Sequence, residues 1–272
     1  MKLLNKLKPW LLKNIDSKYF ELLASKYVFL TKIPKNEFYV ISDLFPLRIQ
    51  DDWNSHFELL NVPHLINPIE KLKYKNEIEI HFFDLNGKLL KIYNKIMFNE
   101  IKFTIDLKKI ANKLGITNDG TFAVFHKNEI DKLSNSGSFI SDRGYVGYEN
   151  PKYGPIKGYV HGNFDAIAKG KNLKLLGISS FFEKQYRIQY EFDSNNTYEL
   201  FWVNTSDTNV KIKIIDSSTS DKLFSVNIKP GGVKSYLFKP TNNSKLTILS
   251  KLNMARPVIF NYMKRSFDVF HG

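Results

Sequence analysis

The sequence contains no cysteine. That excludes a disulfide framework, a thiolate nucleophile and a sulfur-based zinc site, and it leaves the redox compartment undecided. Histidine is sparse: His56, His64, His81, His126, His161 and His271 form no H-E-x-x-H, H-x-H or similarly spaced metal signature. Also missing are G-x-S-x-G, the phosphate-binding G-x-x-x-x-G-K-[ST] and a glycine-rich strand-to-helix fingerprint. Serine-hydrolase, nucleotide and dinucleotide chemistry therefore have no local motif to stand on. Long apolar runs are lacking too. Lysines are scattered through the apolar positions of the first thirty residues, and Pro9 and Asp16 interrupt them before a secretory or membrane-spanning segment develops. On that pattern the chain reads as cytoplasmic.

What is present points to a folded β protein. Hydrophobic residues make up 43% and charged residues 25% of 272 positions, enough for a sizeable core. With 22 Phe, 14 Tyr and many β-branched residues in short runs, strands are favoured over long helices. The formal charge of +13 would draw the chain toward anionic partners. Lysine far outnumbers arginine, however, and the excess is spread along the chain with no nucleic-acid reader motif beside it, so nucleic acid is not the expected partner. The one local concentration is in residues 1–35, where eight Lys stand against Asp16 and Glu21. Leucines and Trp10 recur there at helical spacing, which predicts two short helices, either a lid on the following domain or a basic face for peripheral membrane contact.

From residue 36 onward, short apolar runs alternate with Asn, Asp, Gly and Pro. "EIHFFDLNGKLLKIY" predicts a hairpin, with Asn86-Gly87 as the positive-φ pair of a two-residue turn. Self-similar segments recur in order. "FELLN" at 57–61 matches "YELFWVN" at 198–204, residues 80–96 match 212–228, and 101–107 match 233–239. The run from Gly120 then corresponds to that from Ser244. The expected fold is all-β: two tandem, related antiparallel sandwich domains of jelly-roll or immunoglobulin-like type, with a short helical N-terminus. Its expected divisions are a basic helical segment at 1–35, a first sandwich at 36–127, an aromatic, glycine-rich insert at 128–185 and a second sandwich at 186–272.

That insert contains "RGYVGYENPKYGPIKGYVHGN", with five glycines and four tyrosines in 21 residues. A long stretch outside both repeats, and too aromatic for a solvated linker, marks a candidate site. Arg143 can clamp an anion, Tyr145, Tyr148 and Tyr159 can stack, and His161 lies between two glycines with Asn163 and Asp165 close by. The C-terminal Arg256, Asn261, Tyr262, Arg265, Asp268 and His271 can return to the same junction. A further group, Asp43, Arg48, Asp51, Asp52, Trp53 and His56, reads either as a sugar or cation site or as a turn with a core tryptophan. The favoured function is a binding or assembly protein recognising a glycan or another polar, anionic ligand at the domain junction. The alternatives are a His-and-carboxylate enzyme, metal-assisted or not, acting on a sugar or small acid, and a capsid-like structural jelly roll. No motif fixes a cofactor, a metal or an oligomeric state.

Overall fold

The computed structural model describes residues 39–60, 75–98, 102–126, 144–161, 167–169, 179–206, 208–252 and 255–272. The two helices expected in residues 1–35 lie outside them. The chain is all-β, with seventeen strands among the described residues and a single short α-helix. In chain order the strands are β1 (Tyr39–Leu47), β2 (Asn54–Leu60), β3 (Lys75–Asp84), β4 (Leu89–Phe98), β5 (Lys102–Asp106), β6 (Gly120–His126), β7 (Gly144–Glu149), β8 (Lys157–His161) and β9 (Ile167–Lys169). There follow β10 (Ser179–Arg187), β11 (Thr197–Val203), β12 (Val210–Asp216), β13 (Lys222–Ile228), β14 (Val233–Phe238), β15 (Leu246–Leu252), β16 (Val258–Tyr262) and β17 (Phe267–His271).

These strands form four antiparallel sheets. Sheet 1 has the order β4-β3-β6-β1-β9, sheet 2 β5-β2-β7-β8, sheet 3 β10-β15-β12-β13 and sheet 4 β14-β11-β16-β17. They sit around one another in a four-bladed, propeller-like arrangement, and not as the two separate sandwich domains expected from the sequence. No blade is a meander of consecutive strands.

Sheet 4 shows why the chain does not split into two sandwiches. Tyr198, Leu200, Trp202 and Ile259 point into one hydrophobic cluster with sheet 3, while Phe201, Val203, Val258, Phe260 and Val269 point into the other, with sheets 1 and 2. A sheet buried on both faces reads as continuous apolar runs, which is what "LFWV" and "VIF" are. An isolated sandwich would have left one of those faces wet. Residues 144–161, from the stretch expected as an insert, supply β7, which pairs with β2, and β8, which pairs with β7, and together they complete sheet 2.

The β3–β4 hairpin forms where "DLNG" predicted it, but with different turn geometry. Gly87 N–H donates to Asp84 O, Asp84 N–H donates to Lys88 O, and Gly87 alone has positive φ, at 80°. Three residues therefore link the strands, in the pattern of a turn closed by a glycine bulge, in place of a two-residue positive-φ pair. The Asp84 carboxylate accepts from the Asn86 and Lys88 amides. Asp216 accepts likewise from Ser218. Helix α1 (Leu107–Lys113) was not anticipated. Asp106 caps it by accepting from Lys109 N–H at 2.8 Å, Leu107 and Ala111 are buried, and Gly115, just past its end, has φ 76°.

Candidate ligand face and the junction between the halves

Alternation along the strands of sheet 2 places one set of side chains outward. Register puts Thr104, Glu58, Tyr145 and His161 in one row across β5, β2, β7 and β8. The next row is Asp106, His56, Gly147 and Tyr159, and the third holds Asn54, Glu149 and Lys157. Tyr145 and Tyr159 are exposed, at 50% and 43%. The face is thus aromatic in the middle and charged around it.

Tyr159 owes its pose to Gly147. A Cβ at Gly147 would come within 2.7 Å of the Tyr159 ring, so the missing side chain lets the ring lie across β7. Its hydroxyl reaches β2 and donates to Glu58 Oε1 at 2.8 Å. Glu58 also takes Lys102 Nζ at 2.9 Å. Burial works to raise the Glu58 carboxyl, but the hydrogen bonds from Lys102 and Tyr159 and the charges of Lys102 and Lys157 outweigh it and hold the group below its ordinary range. Burial, then the Glu58 bond and charge, push the Tyr159 phenol up to about 12. Next to them Glu149 meets His56 Nε2 at 2.6 Å, Asn54 Nδ2 at 3.2 Å and Lys157 Nζ at 3.4 Å. Here too burial is outweighed, by the bonds and charges of His56 and Lys157, and the carboxyl is lowered.

At the end of β8 the face meets the second half. His161 lies 6.5 Å from the Tyr145 ring and 4.6 Å from the His271 ring, centroid to centroid. His271 Nε2 donates to the His161 carbonyl at 2.5 Å, which fixes the hydrogen on that nitrogen. Burial first, then the Arg256 charge, lower the His271 pKa to about 4, so this imidazole is neutral at physiological pH. His161 and His271 thus meet where β8 runs beside β17, and the charge of Arg256 reaches His271. Gly158 lets β8 approach β17 closely, since a Cβ there would meet Val269 at 2.3 Å.

The other candidates fall elsewhere. Tyr148, expected to stack on a ligand, is fully buried: its hydroxyl donates to Pro46 O at 2.7 Å and its ring packs on Phe260 at 4.9 Å. Its place follows from parity, because 145 and 148 lie on opposite faces of a strand. Arg143, Asn163 and Asp165 lie outside the described residues, as do the side chains of Asp43 and His126. Trp53 is a core residue at 4% exposure, and Asp51 and Asp52 form an exposed turn at φ 49° and 64°. Arg48 stacks on Trp53, Phe260 and Phe201 with its guanidinium carbon 4.2, 4.8 and 5.0 Å from the ring centres. It pairs with Glu199 at 3.0 Å, and Tyr262 donates to the same carboxylate at 2.7 Å. That cluster joins the halves. His81 is buried against Phe125, its Nε2 2.6 Å from Glu79. Among the described residues no group of three or more His, Cys, Asp or Glu could hold a metal ion, and no helix is long and apolar enough to cross a membrane.

No family model matches the chain, and no curated protein matches it. Among solved structures, the pilus backbone of Streptococcus pneumoniae aligns over 84% of this chain and 77% of its own, at 4% identity and a TM-score of 0.19. The structure of infectious bursal disease virus strain Gx aligns over 79% and 67%, at 10% identity and a TM-score of 0.14. Likenesses this faint carry no argument about fold or role.

Proposed function

We propose that this is a non-catalytic binding protein whose ligand face is the outward side of sheet 2, and that its ligand is a glycan. The observation that carries the reading is the pose of Tyr159. Its ring lies across the strand at Gly147, 43% exposed, with the hydroxyl tied to Glu58. An aromatic ring fixed in place before binding offers an apolar surface for the C–H face of a sugar at little entropic cost. Tyr145 extends the platform, and Glu58, Glu149, Lys157 and His161 supply acceptors and donors for hydroxyls or an acidic substituent. The polar groups here are already engaged with one another, as suits recognition, where groups are held still. General acid–base work instead asks for one group poised to exchange its proton with substrate.

We propose further that the fold consists of two related halves produced by duplication, residues 39–169 and 179–272. Sheets 1 and 2 share their strand order with sheets 3 and 4, with β9 as the single addition.

The test is a glycan panel followed by calorimetry on any hit. Tyr159→Ala is expected to weaken binding at least about tenfold, or about 1.4 kcal/mol, and Gly147→Val to do the same by displacing the ring. A hit that neither substitution weakens would move the site off this face, and a panel with no hit would remove the glycan.

A further inference from the structure

Sheet 1 ends on a strand that is apolar along its outward row. Among the described residues β4 has β3 as a neighbour on one side and none on the other. Its side chains divide between two faces. Tyr93 packs on the core and Lys95 holds its ammonium 5.7 Å from the centre of the Phe103 ring, so both face sheet 2. Leu89, Ile92, Asn94 and Ile96, opposite Phe83, His81, Glu79 and Glu77, lie on the other face. There Leu89, Ile92 and Ile96 are 44%, 43% and 46% exposed, and Leu85 and Leu90 are open at the hairpin end. Five of the ten large apolar side chains exposed among the described residues thus fall on this one hairpin, a patch and not a scatter.

The fold does not demand it. β13 holds the same place at the end of sheet 3, and its residues on the corresponding face are Lys222, Ser225 and Asn227, opposite Ile215, Lys213 and Lys211. Charged and polar side chains of that kind keep a sheet edge solvated and unpaired. An edge left apolar, with its N–H and C=O groups open, is suited to take another strand.

We propose that β4 of one copy pairs antiparallel with β4 of a second copy about a two-fold axis, joining two five-stranded sheets into one of ten strands. The strand's own sequence argues for itself as the partner, and it selects the register. A register shift between Phe82 and Phe83 leaves Leu90 without an opposite residue, so the regular stretch begins at Lys91. An axis at Ile92 would run the new pairing into that bulge at once. An axis at Tyr93 would set Lys91 against the partner's Lys95, and one at Lys95 would set the two Lys95 side chains against each other; like charges directly opposite destabilise a strand pair. An axis at Asn94 avoids all three. It places Ile92 opposite the partner's Ile96, twice over, with Asn94 opposite the partner's Asn94 between them, and it sets Tyr93 against the partner's Lys95. Such a contact is isologous and closes at the dimer. Both copies carry a formal charge of +13, so added salt strengthens the dimer by screening their repulsion. The outward face of sheet 2 takes no part in it, and the proposal does not rest on the glycan reading.

The absence of cysteine makes the test clean, because one introduced thiol is the only thiol in the chain. Residues directly opposite in an antiparallel pair have Cα atoms about 4.5 to about 5.5 Å apart, within disulfide range. Under mild oxidation Asn94→Cys is expected to form a covalent dimer on a non-reducing gel, and Asn227→Cys, at the matching place on β13, to remain monomeric. Adding Ile92→Lys and Ile96→Lys to Asn94→Cys is expected to abolish the cross-link with circular dichroism unchanged. In sedimentation velocity from about 1 to about 100 µM, the native chain is expected to pass from monomer to dimer and no further, at lower concentration when salt is raised. A native chain that stays monomeric throughout, growth beyond dimers, or Asn94→Cys cross-linking no better than Asn227→Cys would overturn the proposal. So would a cross-link that survives the two lysines.

Discussion

Arg48 and Glu199 form a salt bridge 3.0 Å long between the two halves, with side chains only 11% and 18% exposed. The guanidinium is roofed by three aromatic rings, and Tyr262 closes the network by hydrogen bonding both partners. Breaking such a pair from one side leaves a charge stranded in a low-dielectric site. Arg48→Met is therefore expected to cost about 3 kcal/mol or more in urea unfolding, and adding Glu199→Leu is expected to restore part of that loss. A double variant no better than the single one would show that the lost aromatic stacking, and not the stranded Glu199, carries the cost.

His271 gives stability a pH dependence separable from that of the carboxylates. Its folded pKa, about 4, lies below the unfolded value of 6.5, so the unfolded chain takes up the proton first. Its contribution is complete above pH 6.5 and is lost as pH falls toward 4. Glu58 and Glu149 are lowered from 4.5, so theirs is lost only below that value. Chemical denaturation between pH 7 and pH 5 is thus expected to show a decline that His271→Phe flattens.

Gly87 and Gly115 both have positive φ, yet they should respond differently to substitution. A Cβ at Gly87 would lie 1.8 Å from the carbonyl oxygen of Pro230, while at Gly115 nothing lies within 4 Å. Gly115→Ala is expected to cost about 1 kcal/mol of backbone strain. Gly87→Ala must also separate the hairpin tip from the β13–β14 turn, and it is expected to cost at least twice as much on the same denaturation curves.

The Tyr159 phenol is expected to titrate near 12 when its ring carbons are followed by NMR. Glu58→Gln should bring it back toward the ordinary value of 10, because both the hydrogen bond and the charge of Glu58 favour the protonated phenol. An unchanged titration would mean that Tyr159 does not rest on Glu58.

Much of this architecture was written locally. Alternation marked the strands. Helix α1 could have been read from "DLKKIANKLG": a capping Asp106, apolar Leu107, Ile110, Ala111 and Leu114 at helical spacing, and Gly115 behind them. The glycines of β7 and β8 misled. Glycine usually punctuates loops, but Gly144, Gly147 and Gly158 sit within strands because the Phe57 ring, the Tyr159 ring and Val269 occupy the space of a Cβ.

The sequence by itself determined the strand class and the position of the β3–β4 hairpin, because alternation and turn chemistry act over a few residues. Only the tertiary structure decided that Tyr145 and Tyr159 face solvent while Phe260 and Phe267, at matching positions, are covered. It also decided that His161 and His271 meet and that Arg48 finds Glu199. Those outcomes depend on how sheet 4 seats against the first half, a contact between residues more than a hundred positions apart, which no local pattern encodes.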